Sequence, residues 1–233
     1  MSATAMILTC ERDKALAEMC AEGVRRFWPS VTPLIVLDTN TSTEVSLPAD
    51  IREMARRIPY IRRIFDFPHI SPTEDIYQVD SDCFVYSEPT DFGIGMYQGV
   101  RGHDTIGGLH VWQRIGYKFP IYRPRFCSGM ISFRKSDFLG MRDLAIEYLR
   151  AARLMGCDVA GVFSGVLCEQ SLTAGIHRML YKDAPLPYER YPINAPTDEQ
   201  VIFHVSDAKW KDTLDGHVED YRRHLDGTAT PDS

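Results

Sequence analysis

The sequence contains no C-x-x-C pair and no cysteine flanked by histidine at zinc-finger spacing; its six cysteines (Cys10, Cys20, Cys83, Cys127, Cys157, Cys168) are scattered. That speaks against a structural zinc framework and leaves buried free thiols as the simplest reading. A run of about 18 apolar residues, the minimum for a membrane-crossing helix, occurs nowhere. Residues Met1 to Thr9 lack the basic and long apolar regions of an export signal, so the expectation is a cytoplasmic protein with reduced thiols. Positive charge is not in excess: 26 Lys and Arg face 32 Asp and Glu, a formal net charge of −6. Such a balance argues against a surface that tracks phosphates along nucleic acid. Repeats, linkers and low-complexity tracts are also missing, and 233 residues at 44% hydrophobic are enough for one core. The expected organisation is one domain over 1–225 and a polar, frayed tail over 226–233.

What is present is an alternation of short apolar runs and helical periodicities. Ala5 to Thr9 reads as a strand, followed by a polar loop and a helix whose Ala15, Leu16, Met19, Cys20, Val24 and Phe27 recur at helical spacing. Pro33 to Asp38 is a second strand, which makes a βαβ unit with parallel strands and loops gathered on one sheet edge. Ile51 to Phe65 is an arginine-rich helix with a possible break at Pro59, and a loop from Phe67 to Glu74 leads to a third strand, Asp75 to Val79. Pro89 to Pro124 has no sustained period and is expected to form short strands and mobile loops. Phe126 to Phe133 is a glycine-kinked strand whose Gly129 implies close approach of another group. Helices over Lys135 to Met155, with Ser136 or Asp137 near the cap, and Ser164 to Ala174, then a late strand over Val201 to Val205, complete the pattern. The fold class is α/β, a Rossmann-like, mixed and mostly parallel sheet flanked by helices.

The chemistry concentrates at Asp80-Ser81-Asp82, where the third strand meets the ligand edge. Two carboxylates one residue apart between apolar runs repel each other, and a hard dication such as Mn²⁺ or Mg²⁺ relieves that repulsion. The plainer alternative is a solvated or capping turn. His204, at the end of the late strand, offers an imidazole to the same cation, and Lys209, five residues on, can reach a phosphate oxygen. Without the acid pair, His204 reads as a satisfied structural histidine and Lys209 as a solvated charge.

Tyr60-Ile61-Arg62, Ile76 to Asp82, Phe126 to Met130, Glu169-Gln170 and His204 through Lys209-Trp210 occur in one order. That order resembles the GT-A glycosyltransferases, particularly family 8, the glycogenin-like and lipopolysaccharide galactosyltransferase-like group, over Met6 to Trp210. The resemblance implies a sugar transferred from a nucleoside-diphosphate sugar, most simply a UDP-sugar, to an acceptor hydroxyl. It implies that Asp80, Asp82 and His204 bind the metal, and that Thr9, Cys10, Arg12 and Asp38 border the nucleotide. Arg62 would contact the donor, with Arg57 and Arg63 as alternatives, and Ser81 sits within the same loop. Lys209 would neutralise the leaving diphosphate beside Trp210, and Glu169 with Gln170 would face the transferred sugar. Donor binding would fall mainly in 5–90, and the acceptor and catalytic part in 91–215. Two departures stand out: Cys127 replaces a frequent asparagine, and the histidine motif lacks the family's glycine and Lys-Pro-Trp spacing.

The acceptor stays open between a glycan, a lipid-linked sugar, a protein and a modified nucleobase in phage DNA. His103, His110, Trp112, Arg114, Tyr117, Lys118, Tyr122 and Arg123 could build a stacking platform for it, or simply a structural loop; their basic character is what keeps DNA in view as a partner. Two rival functions remain. A sugar nucleotidyltransferase would carry a Gly-rich basic loop after the first strand, which Leu8-Thr9-Cys10-Glu11-Arg12 is not. A non-catalytic nucleotide-sugar-binding protein would not need Asp80, Asp82, His204 and Lys209 together.

Overall fold

The computed structural model describes residues 3–38, 47–100, 106–119, 125–156, 162–205 and 211–227. Strand β1 (Ala3–Thr9) is buried along its whole length, as a run of small and apolar residues covered on both faces must be. Alternate side chains leave it on opposite faces: Met6 and Leu8 enter one core, Ala5 and Ile7 the other. A 3₁₀ turn, Glu11–Asp13, leads into helix α1 (Lys14–Phe27), which buries Ala17, Cys20, Ala21 and Val24 along one stripe. Strand β2 (Val31–Leu37) returns parallel to β1, with Ala3 opposite Val31 and Thr9 opposite Leu37. It carries Pro33, which has no N–H for a ladder and is accommodated because β2 is the sheet edge.

Helix α2 (Ala49–Arg57), a 3₁₀ turn at Pro59–Ile61 and helix α3 (Arg62–Ile70) follow, then β3 (Asp75–Val79), parallel to β1 on its other side. The expected interruption near Pro59 is there, but the helix beyond it outruns the sequence reading. It carries Pro68 and ends only at Ile70, because Phe65, Phe67 and Pro68 are all buried by packing. Next come β4 (Cys83–Val85), β5 (Tyr97–Val100), α4 (Ile106–Arg114) and β6 (Arg125–Arg134). Within the Pro89–Pro124 stretch β5 is a short strand as expected, whereas α4 is a helix that was not; Trp112, 1% exposed, anchors it against α7 (Val162–Leu180), donating its indole N–H to the Ser171 carbonyl at 2.8 Å.

The Lys135–Met155 segment is two helices, α5 (Lys135–Gly140) and α6 (Arg142–Leu154). Neither Ser136 nor Asp137 caps α5. Glu74, sixty-two residues upstream, accepts the Ser136 N–H at 3.1 Å, while Asp137 accepts the Tyr181 hydroxyl at 2.7 Å. Strands β7 (Pro185–Leu186) and β8 (Ile202–His204) and helix α8 (Lys211–Asp226) close the chain.

The six-stranded sheet has the order β2-β1-β3-β6-β5-β7, and β6 alone runs against the others. One face packs on α2 to α7 and the other on α1. Strands β4 and β8 form a separate antiparallel pair, sealed by Tyr221 of α8 among Phe84, Phe203 and Val205. The Tyr221 hydroxyl donates to the Val85 carbonyl at 2.8 Å and accepts the Val85 N–H at 3.1 Å, which locks α8 onto β4. Among the described residues no helix is long and apolar enough to cross a membrane.

Candidate active site

Because β1, β2 and β3 are parallel, Thr9, Asp38 and Asp80 leave the sheet at one edge. Asp80 is fixed at the tip of β3: its N–H donates to the Gly129 carbonyl at 2.8 Å, and its own carbonyl accepts the Cys83 N–H at 3.1 Å. The turn Asp80-Ser81-Asp82-Cys83 therefore passes the chain from the main sheet to β4. On β4, Cys83 stands opposite His204 of β8, bringing the imidazole to the acids across more than a hundred residues of sequence.

His204 is 1% exposed, and its Nε2 lies 3.3 Å from Asp82 Oδ1 and 3.7 Å from Asp80 Oδ2. Its orientation is decided from behind. Gln98 donates its amide N–H₂ to the carbonyls of Tyr191 and Pro192 at 3.1 and 3.2 Å, which turns its Oε1 toward Nδ1 of His204 at 2.7 Å. Nδ1 thus carries the hydrogen and Nε2 faces the carboxylates. Nε2 is fully buried and makes no well-formed hydrogen bond despite its acidic neighbours. Gly129 is what makes room: a Cβ there would sit 2.2 Å from Cε1 of His204 and 3.0 Å from Asp80 Oδ2. The close approach read from this glycine in the sequence is the imidazole.

Burial, the largest single influence, opposes charge on the imidazole, but Asp82 and Cys127 together outweigh it and hold the His204 pKa well above the ordinary value. Burial likewise pushes the Asp80 carboxyl up, against the pull of Arg63 and His204. Arg63 is 4% exposed, ion-paired to Asp80 Oδ1 at 2.7 Å and stacked 4.7 Å from the Tyr60 ring centroid. A proton on His204 and the Arg63 guanidinium thus supply the positive charge these acids require, and a dication supplies it more directly. An imidazole nitrogen without a well-formed hydrogen bond, two acids and a backing amide on Nδ1 fit a divalent metal ion.

The remaining residues divide. Arg62 donates to the Asp38 main-chain carbonyl, and the adjacent Arg63, one of the two alternatives, is the cation paired with Asp80. Arg57 pairs with Glu53 on the surface of α2. Thr9 is buried, with its hydroxyl on the Cys10 carbonyl, and the Cys10 thiol donates to Asp13 at 3.4 Å. Arg12 is exposed and paired with Asp13 at 2.7 Å. Glu169 is 2% exposed; it accepts from Ser128 Oγ at 3.2 Å and Thr173 Oγ1 at 3.1 Å, and burial pushes its carboxyl up to about 7, with Arg63 opposing and Asp80 adding. Gln170 faces elsewhere, holding the Phe126 carbonyl of β6. Lys209 and Trp210 lie outside the described residues, as do His103, Tyr122 and Arg123 of the suggested platform. Trp112 is a core residue, whereas His110 and Tyr117 are exposed. Sequence reasoning missed Gln98 and Thr173, neither of which carries a local signal, and gave Ser128, inside the Phe126–Met130 motif, no role of its own.

No protein-family model matches the chain, and no curated protein sequence does. Solved structures do match. The galactosyltransferase LgtC, in complex with donor and acceptor sugar analogues, superposes with a TM-score of 0.54 at 11% identity, over 98% of both chains. Two structures of the glycosyltransferase GlyE of Streptococcus pneumoniae TIGR4, one of them the apo form, each give 0.57 at 12% identity and cover 97% of this chain. The chain spans 63% of the length of those GlyE chains. The fold is that of the GT-A glycosyltransferases, with a mixed, mostly parallel sheet flanked by helices.

Proposed function

We propose that this protein is a metal-dependent glycosyltransferase that moves a sugar from a UDP-sugar to an acceptor hydroxyl, with residues 1–225 as the transferase unit. The observation that carries the reading is the convergence of Asp80, Asp82 and the fully buried His204 Nε2, which lies 3.3 Å from Asp82 without a well-formed hydrogen bond, at the edge where the parallel strands end. The GT-A fold supports the donor class, since LgtC shares it and binds a donor sugar analogue.

Asp80, Asp82 and His204 would hold Mn²⁺ or Mg²⁺, which when bound offsets the charge that develops on the leaving diphosphate. Thr9, Cys10, Arg12 and Asp38 are assigned to the nucleotide, Thr9 and Asp38 standing at the strand ends of the open edge. Arg63, pinned by Asp80 and Tyr60, brings a fixed cation to the phosphate side of the cluster. Arg62 braces the Asp38 loop through its carbonyl. We assign Lys209 and Trp210 to the diphosphate and Glu169 to the sugar side, where a carboxylate opposes the positive charge that grows at the anomeric carbon. Gln170 supports that position by tying α7 to β6. The acceptor class is a hydroxyl on a glycan, lipid-linked sugar or protein.

The test is release of UDP from UDP-sugars, with and without acceptor, in Mn²⁺ and in chelator. Wild type is expected to turn over only with the cation, and Asp82→Ala to lose about 10²–10³-fold. Wild-type turnover in chelator, or full activity of the variant, would sink the reading.

A further inference from the structure

The two oxygens of Glu169 are engaged separately: Oε1 accepts the Thr173 hydroxyl at 3.1 Å and Oε2 the Ser128 hydroxyl at 3.2 Å. Thr173 lies one turn further along α7, and a bond within one helix leaves the glutamate side chain free to swing against the rest of the fold. Ser128 comes from β6 and removes that freedom. Both donors are buried, so water does not compete for either bond. The strand is shaped for the contact. Tyr97 and Gln98, neighbours on β5, stand opposite Ile131 and Cys127, so Ser128, Gly129 and Met130 form a bulge on β6 with no counterpart on β5. Bulges re-aim side chains, often beside active sites. This one joins separate parts of the cleft. The Gly129 carbonyl holds the Asp80 N–H at 2.8 Å, the Gln78 amide holds the Ser128 carbonyl, and the Ser128 hydroxyl reaches Glu169. Gln170 holds the Phe126 carbonyl, so two adjacent residues of α7 grip β6 on either side of Cys127.

We propose that Ser128 and Thr173 are positioning residues of the transfer step, two hydroxyl donors that aim Glu169 at the sugar and keep it in register with the Asp80 turn. The inference rests on the reading of the protein as a transferase with Glu169 on the sugar side. An ionised carboxylate only accepts hydrogen bonds, and one donor fixed on each oxygen leaves its remaining lone pairs a single orientation. That orientation counts because a charge opposing the one that grows at the anomeric carbon acts only from a preorganised place, and a displacement of about 1 Å costs about 100-fold in rate. A pair that merely satisfied a buried carboxylate would change stability on removal and leave the rate alone.

The full chain in Mn²⁺ is assayed for UDP release from UDP-glucose and UDP-galactose with water as the acceptor. Ser128→Ala and Thr173→Val are each expected to lower kcat about 10–100-fold while KM for the donor moves by less than about threefold. Thr173→Ser keeps the donor and should recover most of the rate. A double-mutant cycle separates aim from packing: with Glu169→Gln in place, Ser128→Ala should cost less than about twofold in kcat. Wild-type crystals with Mn²⁺ and a non-hydrolysable UDP-sugar analogue need no variant to fold, and both hydroxyl bonds are expected to persist with the carboxylate facing the anomeric carbon. A lowered Tm with kcat intact, additive losses in the cycle, or a carboxylate turned from the sugar in that complex overturns the proposal and leaves the transferase reading standing. Wild type that releases no UDP from any UDP-sugar in any cation removes the transferase reading and this inference with it.

Discussion

Replacing Gly129 by alanine tests the geometry of the site through one methyl group. The added Cβ would meet Cε1 of His204 at 2.2 Å, Nδ1 at 2.8 Å and Asp80 Oδ2 at 3.0 Å. Carbon atoms in contact stand about 3.5–4.0 Å apart, so the ring must retreat by more than an ångström. It has little freedom to do so: Gln98 holds Nδ1 at 2.7 Å and is itself held by two main-chain carbonyls. Overpacking of this kind costs about 1–3 kcal/mol. For a chain of this size each kcal/mol is worth about 2–4 °C, so Tm should fall by about 2–12 °C. Displacing Nε2 should also weaken Mn²⁺ binding about 10–100-fold, measurable by electron paramagnetic resonance of the free ion. The decisive control is a double-mutant cycle with His204→Ala. Once the imidazole is gone most of the clash goes with it, and Gly129→Ala should then cost well under half of its effect in the wild type. Additive losses, or a Gly129→Ala protein with unchanged Tm and metal affinity, would refute the account of why glycine stands at this position.

Gln98→Leu removes the acceptor that fixes the His204 tautomer and should weaken Mn²⁺ binding about 10–100-fold with little change in far-UV circular dichroism; unchanged affinity in calorimetry would count against it. Glu169→Gln tests a pH dependence whose sign is fixed by burial. The carboxyl is pushed from 4.5 up to about 7, so between those values the folded protein keeps a proton that the unfolded chain has released. Its stabilising contribution is complete below pH 4.5 and is lost as pH rises through 7, on the order of 3 kcal/mol. Urea titrations in chelator should show the glutamine variant gaining on the wild type across that window, and parallel pH profiles would contradict it. Tyr221→Phe strips both partners from Val85 on the buried β4 and should cost about 1–3 kcal/mol in urea denaturation, a loss absent if α8 is not locked through this hydroxyl.

Much of the fold was legible because it is written in local pattern. The runs Ala5 to Thr9 and Pro33 to Asp38, with a 3.6-residue stripe between them, suffice to specify a parallel βαβ unit, and the acid pair after Val79 marks its ligand edge. Helix α4 was not legible, since Gly107 and Gly108 weaken its propensity and its stability comes from Trp112 packed on α7. The cap of α5 was misread for the same kind of reason, because the group that satisfies it, Glu74, belongs to another part of the chain.

The sequence by itself determined which chemistry is present: two acids one residue apart, a glycine demanding close approach, and a histidine on a late strand. Only the tertiary structure decided which neighbours act on it. Arg62 and Arg63 are adjacent and identical in type, yet a helical step of about 100° sends one to the Asp38 carbonyl and the other to Asp80. Glu169 and Gln170 part for the same reason. Gln98 finds His204 across 106 positions, and Cys83 meets the same ring through strand register. Hydrophobic periodicity fixes which side of an element is buried, but it carries no information about the partner met there, which follows from how the elements dock.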